Sequence, residues 1–433
     1  MITRILHLIR RFFQRLFGSK IDISEPPIHE MDIPQSDDND DIPADEDISV
    51  DKDIPTDEDI PEDEVAHIPA PNLPTPQPRV KLAALPANNG DTLLLGFEDA
   101  EGKSHYIWID GGLVKSYQNY HKDFLRSMFT ANVSIDLMVI THVDQDHIGG
   151  VLAFCNDAEF PKNWIQKFWF NSGVLISAYF NQQPIASRAV MLPDTGDKSR
   201  SLAQGISLED FLEENGNWHS EPVMKGQVYD FFGAKLTLLS PSKEGLAKLN
   251  REWQEELESS RAVVTTDYLE PLEILALNPE KPDTSIPNGS SIAFIFEYAG
   301  VSMLLLGDAH GPVVGESLRA LGYSEENRFK ADIVKLSHHS SKASNTHEML
   351  DLVDASYYLV STDGSRHGLP NKEAMARIIL HPKRDREKEM VFVFNHDNEV
   401  LRNIFTETEK QQYNFSCLFP EPGKQGVELN WGG

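Results

Sequence analysis

Cysteine is almost absent: the 433 residues include only Cys155 and Cys417. Two distant thiols exclude a disulfide scaffold and a cysteine-built zinc site, so any metal must be held by histidine and carboxylate. A reducing compartment, the cytoplasm, is the expected location. Long apolar runs are also missing, and none approaches the ~20 residues that a membrane-spanning helix needs. Positive charge is scarce, with 39 Lys and Arg against 68 Asp and Glu and a net charge of −29. Such a balance disfavours tight non-specific binding to DNA or RNA. The expected substrate is a small molecule or a single-stranded nucleic acid, met through bound metal or a local basic channel.

The charge is unevenly spread and divides the chain. Residues 1–20 carry Arg4, Arg10, Arg11, Arg15 and Lys20 with no acid, and Ile2, Ile5, Leu6, Ile9, Phe12, Phe13 and Leu16 recur at helical spacing. This pattern predicts a basic amphipathic helix that lies on an anionic membrane surface or docks a protein partner. It lacks the uninterrupted apolar core of a secretory signal. Residues 21–64 carry 19 acids against Lys52 alone, in repeats such as Asp53-Ile54-Pro55 and Asp59-Ile60-Pro61. Dense like charge and repeated proline cannot bury enough apolar surface to offset ordering entropy. Residues 21–79 are therefore expected to form a disordered acidic and proline-rich linker, and residues 80–433 the folded domain.

Beyond Val80 the texture is that of a mixed α/β (α+β) protein. Val80–Pro86 and Thr92–Phe97 read as strands around the turn Asn88-Asn89-Gly90-Asp91, followed by a strand over His105–Ile109 that ends in Asp110-Gly111-Gly112. Ile135–Thr141 is a buried-looking strand, and Ile148–Cys155 starts a helix. Helices are also expected over Phe124–Phe129, Leu202–Glu214, Leu246–Glu258 and His347–Val353. Further strands are expected at Ile165–Phe170, Ala234–Leu239, Ala331–Leu336 and Ser356–Ser361, with a hairpin of Ile292–Tyr298 and Val301–Leu306. Strands mixed with helices in this way imply packed sheets with helices outside.

The chemistry concentrates in Thr141-His142-Val143-Asp144-Gln145-Asp146-His147-Ile148-Gly149-Gly150. Two histidines and two aspartates within six residues repel and desolvate one another when buried unless a cation joins them. His142, Asp144, Asp146 and His147 are expected to converge on one or two divalent ions, Zn²⁺ or Mn²⁺, because a loop rather than a helix sets their directions. Gly149 and Gly150 are expected to let the backbone turn tightly into the next helix.

These residues resemble the H-x-H-x-D-H motif of the metallo-β-lactamase superfamily, with Asp144 where the second histidine usually stands. The pattern is most similar to the hydrolase domain of ComEC-type competence proteins and their stand-alone relatives. Pro86–Asp91 and Ile109–Gly112 look like that domain's opening hairpin, and Leu306-Gly307-Asp308 like its bridging aspartate segment. Lys335-Leu336-Ser337-His338-His339-Ser340-Ser341 resembles its H-H-G-S segment with Ser340 in place of glycine, and Ser361–Gly368 its closing histidine segment. The resemblance implies a four-layer αβ/βα sandwich with metal at the sheet edge.

It also implies roles. Asp146 and His147 would bind one metal, His142 and Asp144 another, and Asp308 would bridge them. His367, or one of His338 and His339, would complete the shell. Asp146 would orient or deprotonate a bound water, and His338 or His339 would stabilise developing charge or protonate the leaving group. His219 is a weak candidate for the superfamily's isolated third histidine. His310 and the cations Arg328, Lys330 and Lys335 have a site reading and a structural one. The expected function is metal-assisted hydrolysis of a phosphodiester, by a nuclease or phosphodiesterase. The alternatives are hydrolysis of a small ester, lactone or amide, or a non-catalytic tethered sensor or scaffold. The segment Asn171–Pro287 matches no motif and is expected to cover the site.

Overall fold

Residue order along the strands sorts the side chains into three apolar layers. In the strand Ser104–Ile109, Tyr106 and Trp108 point to one face and Ile107 and Ile109 to the other, and all four are buried. A strand buried on both faces belongs in the middle of a layered protein. The computed structural model describes residues 79–182, 208–219, 221–252 and 266–432, and it has that layering. The amphipathic segment 1–20 and the acidic linker, apart from Arg79, lie outside the described residues, as do parts of the helices expected at Leu202–Glu214 and Leu246–Glu258.

The first sheet contains β1 (Val80–Ala84), β2 (Leu93–Glu98), β3 (Ser104–Ile109), β4 (Leu137–Val139) and β5 (Phe168–Trp169). The second contains β6 (Val228–Phe231), β7 (Ala234–Ser240), β8 (Ala293–Tyr298), β9 (Val301–Leu305), β10 (Phe329–Lys335), β11 (Val353–Val360), β12 (Met390–Phe394) and β13 (Phe415–Leu418). The last strand, β14 (Val427–Trp431), returns to the first sheet, whose order is β14-β1-β2-β3-β4-β5. The second sheet runs β13-β12-β11-β10-β9-β8-β7-β6. Each sheet begins antiparallel and becomes parallel at a pivot strand, β3 in the first and β9 in the second.

Between the sheets lies a core that includes Leu82, Leu95, Ile107, Val139, Phe294, Met303, Ile333 and Leu359. Outside the first sheet, Trp108 and Met138 pack on Leu125, Ile148 and Leu152 of the helices Lys122–Thr130 and Gln145–Cys155. Outside the second, Leu304, Val334 and Phe392 belong to a core with Val314, Leu318, Met375 and Ile379 of the helices Gly311–Ala320 and Lys372–Ile379. This is the expected four-layer αβ/βα sandwich. Among the described residues no helix is long and apolar enough to cross a membrane.

Three local expectations are corrected, and the first two bear on the site. The helix after β4 begins at Gln145 rather than Ile148, so Asp146 and His147 occupy its first turn instead of a free loop. Asp144 is its N-cap in extended conformation (φ −66°, ψ 142°), yet its carboxylate makes no capping bond and stays available. Gly149 and Gly150 are therefore helical, and their value is close approach. A Cβ on Gly150 would lie 1.9 Å from the Gly111 carbonyl oxygen. Two bonds fix that approach: Gly111 N–H donates to the His147 carbonyl at 2.8 Å, and Gly150 N–H donates to the Gly112 carbonyl at 2.8 Å. In the second sheet, β11 starts at Val353, so the preceding helix is only His347–Leu350.

Gly150→Ala is expected to destabilise the protein by about 3 kcal/mol, the upper end for overpacking. Urea denaturation measures it, and an unchanged midpoint would mean that the helix and the Asp110–Gly112 turn do not touch.

Candidate metal centre

The functional side chains sit where strands end. Asp110 follows β3, and Thr141 and His142 follow β4. Asp308 follows β9, and His338 and His339 follow β10. Because β3 and β4 are parallel, as are β9 and β10, their C-terminal ends lie side by side and open at one edge of the sandwich.

Four histidines face one oxygen. The Nε2 atoms of His147, His339, His142 and His338 lie 3.3, 3.7, 3.8 and 3.9 Å from Oδ2 of Asp308. Each of the four Nδ1 atoms is engaged behind the ring. His147 Nδ1 donates to Asp110 Oδ2 at 2.8 Å. Thr141 Oγ1 gives its proton to Asp110 at 2.7 Å, so it accepts from His142 Nδ1 at 3.0 Å. His339 Nδ1 donates to the Ser361 carbonyl at 2.9 Å. His338 Nδ1 faces Asp283 Oδ2 at 3.2 Å. Outer partners of this kind fix the tautomer that leaves Nε2 free to bind metal.

The residues fit a divalent ion. Nε2 of His142, His147 and His339 and Oδ1 of Asp308 are buried and lack hydrogen-bond partners among the described residues. Leaving such atoms unpaired costs about 1–3 kcal/mol each, and a shared cation satisfies them together. Asp146 belongs to the same group, with Oδ2 3.4 Å from His339 Nε2 and accepting from Asn89 Nδ2 at 2.8 Å. Asp144 Oδ2 lies 3.5 Å from His142 Nε2, with the side chain 41% exposed. Asp91, His147, Asp308 and His339 each offer an atom within 4.8 Å of the others. The contacts of Asp91, however, run to Nδ1 of His339 (3.3 Å) and of His147 (3.9 Å), behind the rings. Asp91 is therefore an outer carboxylate rather than a ligand.

The backbone at the H-H-S segment is held under strain. His338, His339 and Ser340 are consecutive left-handed residues, at φ 48°, 53° and 67°. Each costs on the order of 1 kcal/mol for a non-glycine residue. Asn345 holds the turn, bonding Ser337 N and O and the Ser341 carbonyl. The conformation sends both imidazoles toward Asp308.

The electrostatics follow from crowding. Burial pulls the His339 imidazole down, but Asp308, Asp146 and Asp91 outweigh it and push it up to about 10. Burial also opposes ionisation of His147, and Asp308 and Asp110 raise it well above the usual range. Asp308 is held well below the carboxylate range against burial by His147, His339 and His338. Asp91, likewise opposed by burial, is brought to about 2 by Lys335, His339 and His147.

Lys335 is not on a solvated face. It is 1% exposed, ion-paired to Asp91, and 3.8 Å from Asp308 Oδ1, and it donates to the Gly307 carbonyl at 2.9 Å. Of the other cations, Arg328 bonds the Leu350 and Val353 carbonyls, and Lys330 pairs with Asp354. His310 caps the helix Gly311–Ala320, with Nε2 2.9 Å from the Ser285 carbonyl. His219 is turned onto the Glu221 carbonyl at 2.6 Å. His367 is exposed in a left-handed turn (φ 57°) and makes none of the contacts of the cluster. The structure thus gathers His142, Asp144, Asp146, His147, Asp308, His338 and His339, and leaves His367 outside. Asp91, Asp110, Asp283 and Lys335 complete the surroundings. The first two lie in turns legible as sequence motifs, whereas Asp283 lies in none.

No family model matches the chain. It is similar to ComE operon protein 3 of Bacillus subtilis (strain 168), at 27% identity over 111 residues. That match covers 25% of this chain, and the chain spans 14% of the relative's length. Among solved structures, it is similar to the metallo-β-lactamase fold protein YhfI from Bacillus subtilis, with 11% identity and TM-score 0.37, covering 82% of this chain and all of that one. It is likewise similar to Zn²⁺-bound PqqB from Methylobacterium extorquens, with 10% identity and TM-score 0.37, covering 81% and 99%.

The carboxylates around His147 and His339 favour their protonated forms when no metal is bound, and ligation must displace those protons. Metal binding is expected to release protons there, and affinity to fall as pH falls. Calorimetry in buffers of different ionisation enthalpy counts them, and zero release would mean the imidazoles are already neutral. For folding of the metal-free protein, the His339 contribution is fully present below pH 6.5 and is lost as pH rises through about 10. The Asp91 contribution is present above pH 3.8 and is lost as pH falls through about 2.

Proposed function

We propose that this chain is a metal-dependent hydrolase of the metallo-β-lactamase type that cleaves phosphodiesters, as a nuclease or phosphodiesterase. One observation carries the reading: four Nε2 atoms face a single buried carboxylate oxygen, with every Nδ1 engaged behind its ring. The carboxylates Asp144, Asp146 and Asp308 add hard oxygen donors that suit Mn²⁺ as well as Zn²⁺. Oxygen-rich centres of this kind commonly work on phosphates. The motif-by-motif resemblance to ComEC-type hydrolase domains supports the same substrate class.

A divalent ion held here would supply Lewis acidity and an activated water. The protein does the rest. Asp146, fixed by Asn89, offers Oδ2 to take a proton from the attacking water. Asp110 and Thr141 hold His147 and His142 in the ligating tautomer. Lys335 keeps Asp91 anionic and stands 3.8 Å from Asp308 Oδ1 without occupying the open side. Substrate meets the centre between Asp144 and His338, whose side chains are 41% and 29% exposed while the other histidines are buried.

The test is turnover of bis(p-nitrophenyl) phosphate, single-stranded DNA and a cyclic dinucleotide by protein loaded with Mn²⁺ or Zn²⁺. Asp146→Ala is expected to lose about 10³-fold in kcat with its circular dichroism unchanged. Protein that binds neither ion would defeat the hydrolase reading. Turnover of carboxylic esters or lactones alone would move the substrate class away from phosphodiesters.

A further inference from the structure

The centre has two sides. On the buried side, His147 and His339 face Asp308, with Asp146, 22% exposed, beside His339. On the open side stand the partly exposed Asp144 and His338, with His142 buried behind them. The sequence supplies no histidine between the first motif and Asp308 that reaches this open side, because His219 is turned onto a backbone carbonyl elsewhere. A cation position with only His142, Asp144 and a shared Asp308 would be short of a ligand.

Asp283 answers that shortage through His338. Its Oδ2 accepts from Asn288 Nδ2 at 2.8 Å and from Ser344 Oγ at 3.0 Å, and it lies 3.2 Å from His338 Nδ1. Asn288 Nδ2 and Ser344 Oγ also approach His338 Nδ1, at 3.1 and 3.5 Å, but both donate to Asp283. A carboxylate oxygen beside Nδ1 favours the tautomer with the proton on Nδ1, which leaves the free lone pair on Nε2. Nε2 points at the centre, 3.9 Å from Asp308 Oδ2. Asp283 is itself pinned, accepting from Ser285 N at 2.9 Å and donating its own N–H to the Ala343 carbonyl at 2.9 Å. The left-handed backbone at His338, φ 48°, directs the ring toward the centre.

We propose that Asp283 is a positioning residue that makes His338 the third protein ligand of a second metal position, formed with His142 and Asp144 and sharing Asp308 with the buried one. The proposal rests on the metal-centre reading above. It makes His338 a ligand rather than the general acid suggested by the motif alone. It also gives a role to the motif-free stretch before β8, which reaches the centre through one carboxylate.

Metal-free full-length protein, titrated with Mn²⁺ alone and followed by calorimetry and elemental analysis, tests it. The unaltered chain is expected to bind two ions. Asp283→Ala is expected to keep the first and weaken the second about 10–100-fold, the usual effect of removing an outer partner of a ligating histidine. Asp283→Asn, whose carbonyl can still accept from Nδ1, is expected to fall between, and His338→Ala to match Asp283→Ala. With Co²⁺ as probe, the Asp283→Ala visible spectrum is expected to lose the contribution of the second ion. Two ions bound equally tightly by Asp283→Ala, or a single ion in the unaltered chain, would overturn the proposal while leaving the hydrolase reading intact. No ion at all in the unaltered chain would overturn both.

Discussion

A carboxylate buried at 2% exposure with four imidazoles around one of its oxygens is the constraint on which the site depends. Burial alone would drive Asp308 toward neutrality; its neighbours keep it anionic. Its position is fixed by β9, by the Gly307 turn at φ 50°, and by the Ser291 hydroxyl, which accepts from Asp308 N–H at 3.0 Å. The elements nearby are arranged so that something positive always faces it: Lys335 on one oxygen, imidazoles on the other.

The second requirement is close approach. A Cβ on Gly90 would lie 1.7 Å from the Asp146 carbonyl, and one on Gly150 would lie 1.9 Å from that of Gly111. The opening hairpin, the β3 turn and the first turn of the helix Gln145–Cys155 are therefore interlocked by backbone. The interlock puts Asp91 and Asp110 behind the imidazoles of that helix and its preceding loop. Side chains larger than hydrogen at these glycines would part the outer carboxylates from the rings they orient.

Much of this was legible in the sequence. The sandwich follows from strands that alternate or run continuously apolar, and the β8–β9 hairpin from Ala299-Gly300, both at positive φ. His142, Asp144, Asp146, His147 and Asp308 announce themselves by spacing. Helix onset was misjudged because an acidic first turn, Gln145-Asp146-His147, carries too little apolar signal to register as helix. Burial of Lys335 was hidden because its partner Asp91 lies far away in the chain and only folding sets them together. His367 looked like a ligand by order along the chain, whereas the structure turns it outward. Asp283 could not be seen, since a single carboxylate in an unfamiliar stretch has no pattern.

The two sheets share a plan. Each switches from antiparallel to parallel at a pivot strand that ends in an aspartate, Asp110 after β3 and Asp308 after β9. In each, the next parallel strand leads into a pair of histidines: His142 and His147 in one half, His338 and His339 in the other. Neither half holds a whole centre. The chain is thus a two-key lock, in which the cluster is incomplete until both sheets have folded and met. Capture of an ion then reports that the seam between them is closed.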